Sequence, residues 1–285
     1  MSHTVRARGS RGSFANLVTK VLKRRTTPLD EPALERSSVV FSPHFDDETL
    51  GCGGTVLRKR ALGADVKLVF LTDGRASHRE WLPEEELVRV RTGEGRAAAK
   101  VLGLGDADVH ALGFEETRLD EHIDEASVMV RELLEATAPE QVFVPYRFEP
   151  PADHAATFEI VSRALRSFRG PVAVFEYPIW VWVQWPWTDF PEHSVIEGPR
   201  ALVRQWRSLR RFFTDFRWRV DTSDFAAQKL HALEQHRSQL FRPSQHPDWP
   251  ILGDVRGGDF LRCFLRDFEV FARVPIAGVD GAPRS

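Results

Sequence analysis

The sequence predicts an α/β protein, a Rossmann-like three-layer arrangement with a mainly parallel sheet between two helical layers, and two observations predict it. Short apolar runs rich in β-branched residues recur at 38–42, 65–72, 108–114, 141–146 and 171–177. Segments of helical period and length, roughly 48–62, 84–103, 121–136 and 153–168, fill the gaps between them. Strand and helix in strict alternation imply βαβ crossovers, which lay successive strands parallel and place helices on both faces.

Along the chain, residues 1–36 read as a basic extension: Arg6, Arg8, Arg11, Lys20, Lys23, Arg24 and Arg25 all precede the first acid, Asp30. Within it Phe14, Leu17, Val18, Val21 and Leu22 repeat at helical spacing, so residues 12–25 form a basic amphipathic helix. Its apolar face either packs on the body of the protein or meets an anionic membrane. Thr26-Thr27-Pro28 ends that helix, and the alternation begins at "SVVFS". The last third differs, being rich in Trp and Arg. In "YPIWVWVQWPW" (177–187) alternation places Trp180 and Trp182 on one face, as a flat platform for a sugar ring or as core. In residues 201–220, Leu202, Trp206, Leu209, Phe213 and Phe216 form one stripe expected in the core, with six arginines on the other, solvated faces.

Bulk composition narrows the partners. Lys plus Arg is 39 against 41 for Asp plus Glu, so no global field points to nucleic acid. Cys52 and Cys263 lie far apart among apolar neighbours, which fits reduced thiols and a cytoplasmic protein. No run approaches the ~20 apolar residues that span a bilayer, and no secretory leader is visible. Any membrane contact, at the inner face, is expected to be peripheral and to run through residues 12–25. Oligomeric state leaves no trace in the sequence.

Open parallel sheets bind ligands beyond the carboxyl ends of their strands, and the titratable groups concentrate there. The loop after the first strand holds His44, Asp46, Asp47 and Glu48; the second holds Asp73-Gly74-Arg75; the third Glu115 and Glu116; the fourth Arg147, Glu149, Asp153 and His154. Two imidazoles and a carboxylate suit Zn²⁺ with positions left open for water and substrate. If Asp47 completes that set, Asp46 is left beside the cation to move protons while water attacks a carbonyl. Rival readings use the same letters. The acids also suit a helix start near residue 48, and Asp153 suits an N-cap. His44-Phe45-Asp46 with a distant histidine also fits the H-x-D…H triad of Fe(II) oxygenases, although those usually sit on jelly-roll sheets. A non-catalytic sugar-binding protein is the third reading. Gly51, Gly53 and Gly54 lack G-x-G-x-x-G spacing and follow three acids, so close helix–strand packing explains them better than a phosphate cradle. Asp73-Gly74 is a turn pair, after which Arg75 is in reach of a substrate hydroxyl or phosphate.

"PHFDDE" followed by "GCGG", then "LTDG", then "PPADH", resembles the LmbE-like or PIG-L family of zinc-dependent N-deacetylases over residues 37–180, and more weakly through "KLHALEQHRSQL" at 229–240. The resemblance implies an LmbE-like domain over 37–275 with a tail at 276–285. It implies His44, Asp47 and His154 as ligands of Zn²⁺ or another divalent metal, Asp46 as general base, and Glu48 and Asp153 as supports around them. It implies hydrolysis of an N-acetyl or other N-acyl amide on an amino sugar or N-acetylglucosamine conjugate, with Arg75, Arg147, Trp180 and His236 as candidate substrate contacts. Phe45 replaces a proline of the family pattern. Pro151 replaces the first histidine of His-x-Asp-His, which removes the group that the resemblance implies stabilises the oxyanion or protonates the leaving amine; Arg147, Glu149 and His236 are the candidates to replace it.

Overall fold

A computed structural model describes residues 12–188 and 199–274. Helix α1 (Gly12–Arg25) leads into a two-residue strand β1 (Thr27–Pro28) and one turn of helix α2 (Glu31–Leu34), started by Asp30, whose carboxylate accepts the Ala33 N–H. The alternating body follows: β2 (Ser38–Ser42), α3 (Asp47–Ala61), β3 (Val66–Thr72), α4 (Glu84–Val101), β4 (Val109–Phe114), α5 (Ile123–Thr137), β5 (Gln141–Pro145), α6 (Ala152–Ser167) and β6 (Ala173–Tyr177). Each bound lies within two residues of the one read from periodicity. Next come α7 (Pro199–Asp215), β7 (Phe216–Asp221), α8 (Ala226–Leu233), α9 (Arg237–Leu240), α10 (Asp259–Arg262) and β8 (Phe268–Val274).

One sheet of eight strands runs in the order β1-β7-β8-β6-β5-β2-β3-β4. All its pairings are parallel except those of β8, which is antiparallel to both neighbours. Buried on both faces, β2 reads as a continuous apolar run rather than an alternating one. Val40 packs into the layer containing α1, α3 and α8, while Val39 and Phe41 pack into the layer of α5 and α6. The chain builds outward from β2 to β3 and β4, then returns to lay β5 on the other side of β2. That reversal of strand order is where an open sheet leaves a crevice at its carboxyl edge.

Three glycines inside a helix cost about 1 kcal/mol each, so α3 needs a reason for them. A Cβ on Gly51 would sit 2.3 Å from the Tyr177 ring of β6, and one on Gly54 2.5 Å from Thr222. Gly53 opens the same helix to Lys229 of α8. Through that opening Lys229 Nζ reaches the Leu50 carbonyl at 2.8 Å and Glu269 of β8 at 2.7 Å. Glu269 in turn accepts the N–H groups of Gly54 and Thr55, both at 2.8 Å. A buried ion pair thus locks α3 to α8 and β8.

The N-terminal helix divides its apolar residues: Val18 and Leu22 are in the core, whereas Leu17 and Val21 are exposed. Arg6, Arg8, Arg11 and the tail at 276–285 lie outside the described residues. No helix among the described residues is long and apolar enough to cross a membrane. Two expectations for the last third need correction. Residues 180–183 form a 3₁₀ turn rather than an extended strand, so Trp182 is buried against Trp187 and Phe212 while Trp180 points elsewhere. The α7 stripe is core only at its end: Trp206 is 55% exposed, Phe212 rather than Leu209 is buried, and Phe216 already belongs to β7. Helical period tells which residues share a face, not how far the neighbouring layer extends beneath them.

Candidate functional site

The crevice between the ends of β2 and β5 holds the candidate site. Its first loop is built around Ser42 and Glu48. Ser42 Oγ donates to the His44 carbonyl at 2.7 Å and accepts the Glu48 N–H. Glu48, fully buried, accepts the Asp46 N–H at 2.9 Å, the Thr49 hydroxyl, and His236 Nε2 at 2.9 Å. These bonds hold Asp46 at φ +133°, a backbone region that side-chain-bearing residues rarely adopt. Such strain persists only where surrounding contacts over-determine it, and it concentrates at functional sites.

One ligand atom each from His44, Asp47 and His154 lies within 4.8 Å of the others. His44 and Asp47 come from the β2–α3 junction, His154 from the first turn of α6 after β5. His154 Nε2 is 3.2 Å from Asp47 Oδ2, yet neither ring nitrogen of this fully buried imidazole makes a hydrogen bond. A buried imidazole left unbonded beside a carboxylate and a second imidazole fits a cation in their midst, since orphaned buried polar groups are costly. Burial works against charge on His44, but hydrogen bonds to Asp153 and Asp47 raise its pKa well above the usual value. Burial likewise works against charge on Asp47, and the two imidazoles beside it, His154 and the hydrogen-bonded His44, outweigh burial and hold that carboxyl well below its ordinary range.

Asp153 orients the set. Its carboxylate accepts the N–H groups of Thr117 at 2.7 Å and Leu119 at 3.2 Å and meets His44 Nε2 at 3.0 Å. The fixed carboxylate holds the ring through Nε2, so that Nδ1 would be left to a cation shared with Asp47. Asp153→Asn is therefore expected to weaken cation affinity about 10- to 100-fold, read by competition with a fluorescent zinc chelator, with little change in fold. Unchanged affinity would show that the imidazole needs no such partner.

Asp46 is not a member of the cluster. Its carboxylate lines the cavity and accepts from the Gln239 side chain. Burial, then the negative charges of Asp47 and Glu48, raise its pKa well above the usual carboxylate range. The H-x-D…H triad required Asp46 in the place that Asp47 takes, and the sheet is no jelly roll.

The cavity over this floor encloses about 440 Å³. Trp180 is on its wall, stacked on Phe260 with centroids 5.1 Å apart. Arg75, Arg147 and His236 are not on it. Arg75 bonds Asp73, Arg147 bonds Glu176 at 2.8 Å, and His236 is spent on Glu48. Glu149 is off the wall too; it accepts the N–H groups of Ile179 and Trp180, and burial pushes its carboxyl up to about 8 against those bonds. The three candidates for the missing acid are therefore all engaged elsewhere, and Pro151 presents its ring to the cavity as the N-cap of α6.

Sequence reasoning missed Arg91 and Gln239, which line the cavity together with Glu116 of the third loop. Arg91 carried a signal: it falls on the buried stripe of α4 with Leu87, Gly95 and Ala98. An arginine on a core stripe requires partners, and it finds Ser77 and His78, bonding His78 Nδ1 at 2.8 Å. His78 Nε2 bonds the Pro250 carbonyl, and burial lowers its pKa to about 4, so this ring is a neutral strut.

Residues 39–165 match the PIG-L family model, described as GlcNAc-PI de-N-acetylase. Over 237 residues the chain is 27% identical to the diacetylchitobiose deacetylase of Thermococcus kodakarensis, spanning 80% of this chain and 79% of that protein. Over 141 residues it is 30% identical to a probable N-acetyl-alpha-D-glucosaminyl L-malate deacetylase 2 of Bacillus anthracis, spanning 47% of this chain and 61% of that protein. Among solved structures, the N,N'-diacetylchitobiose deacetylase of Pyrococcus horikoshii superposes with a TM-score of 0.60 at 19% identity, covering 95% of this chain and 94% of that one. That superposition speaks to the fold alone.

Proposed function

We propose that this chain, which carries a PIG-L family domain over residues 39–165, is a zinc-dependent hydrolase that removes an N-acyl group, acetyl first of all, from an amino sugar or N-acetylglucosamine conjugate. The observation that carries the reading is the buried His44–Asp47–His154 cluster, with an unbonded imidazole and a separate carboxylate, Asp46, on the same cavity floor. The curated relatives above, by name a diacetylchitobiose deacetylase and a probable N-acetyl-alpha-D-glucosaminyl L-malate deacetylase, support the substrate class.

His44, Asp47 and His154 would hold the cation, which supplies Lewis acidity toward the acyl carbonyl and acidifies water. Asp46 takes a proton from the attacking water as the new C–O bond forms. When the C–N bond breaks, the same carboxyl returns that proton to the nitrogen, so the products are a carboxylic acid and a free amine. Gln239 holds one oxygen of Asp46 and leaves the other for this shuttle. With Pro151 unable to donate, Asp46 serves as base and then as acid. Arg91 places a buried positive charge beside a floor that is otherwise acidic.

Acetate release from N-acetylglucosamine and its conjugates tests the reading. Activity is expected to vanish on treatment with a chelator and to return on adding Zn²⁺. Release that persists in metal-stripped protein, or no release from any member of the panel after zinc is restored, would overturn it.

A further inference from the structure

One stretch of the cavity lining is wholly apolar. The cavity floor carries His44, Asp46, Asp47 and Arg91, but every residue that the stretch 250–260 contributes to the wall is apolar: Pro250, Ile251, Leu252, Val255 and Phe260. This stretch lies outside the matched family domain. It is also firmly placed. Trp249 stacks on His78 at 4.2 Å and donates its indole N–H to the Ser238 carbonyl at 2.7 Å, while Asp254 accepts both the Ile251 N–H and the Arg242 guanidinium. Arg256, Gly257 and Gly258 take positive φ and turn the chain into α10, so that Phe260 meets Trp180.

A bare sugar ring presents hydroxyls, and no side chain of this wall can bond them, while the Pro250 carbonyl already accepts from His78. A polar group pressed against such a surface loses its water without compensation, whereas each buried methylene gains. The deacylase reading says where the amide sits, and the inference rests on it. We propose that the preferred substrate is amphiphilic, an N-acylated amino sugar carrying an alkyl or aryl group of several carbons, which lies along Leu252, Val255 and Phe260 while the amide meets the floor.

The apolar group sits either on the sugar as an aglycone or on the nitrogen as a longer acyl chain, and three substrates separate these: N-acetylglucosamine, its hexyl glycoside, and N-hexanoylglucosamine. Carboxylic acid release by the zinc-loaded full chain is measured for each. One of the two hexyl compounds is expected to exceed N-acetylglucosamine in kcat/KM by at least about tenfold, and which one it is names the side that carries the chain. Leu252→Asn and Val255→Asn, at partly exposed positions, are each expected to cut that advantage several-fold, with the thermal midpoint reporting that the fold is kept. Equal rates on all three substrates would overturn the inference and leave the deacylase reading standing. So would an advantage that survives in the folded double variant. No release from any of the three would sink both.

Discussion

Asp46→Asn is expected to lower kcat for acid release by about 10²- to 10⁴-fold while leaving the bound metal at its parental stoichiometry. The substitution is geometrically mild. Asn tolerates positive φ nearly as well as Asp, its amide oxygen still accepts from Gln239, and its backbone N–H still reaches Glu48. What it removes is a proton acceptor at a position outside the cation cluster. Stability should not fall, since one of three crowded negative charges disappears. Elemental analysis and a single-turnover assay on the same sample check both halves. Parental turnover would remove Asp46 from the chemistry; loss of metal would place it among the ligands.

Lys229→Met should destabilise the protein by about 3–5 kcal/mol, a large share of any domain's stability. The ion pair with Glu269 is almost wholly shielded from water, and it bonds both the Leu50 carbonyl and the Gly54 N–H, which face each other across one turn of α3. Removing the ammonium leaves a buried carboxylate facing only N–H and hydroxyl donors, and strips Leu50 of its bond. Glu269→Gln should cost less, because an amide oxygen can still accept one of those N–H groups. The double variant should lose less than the sum of the two singles, by about 0.5–3 kcal/mol, as expected for partners in one network. Urea unfolding of the four proteins measures this. Strict additivity would mean the two charges act independently.

The alternating body was legible because its signal is local: β-branched runs and helical spacing write themselves into consecutive residues. The His44–Asp47–His154 constellation was legible for a related reason, since the crossover topology brings the end of β2 beside the end of β5 whatever lies between. The last third was less so. Trp180 and Trp182 look like alternate positions of a strand until Glu149, from a different loop, accepts two successive N–H groups and bends the segment into a 3₁₀ turn. Arg91 and Gln239 sit 45 and 193 residues from Asp46, and only tertiary packing makes them neighbours. Arg75 failed in the opposite way: local chemistry suggested a ligand contact, and local chemistry, the adjacent Asp73, consumed it.

The contact between Glu48 and His236 joins points 188 residues apart. Because the unusual backbone at Asp46 is propped from α9's entrance, the β2–α3 loop takes its shape only once residue 236 has docked against it. Local fraying of the α8–α9 corner is expected to let the loop relax before the sheet itself comes apart.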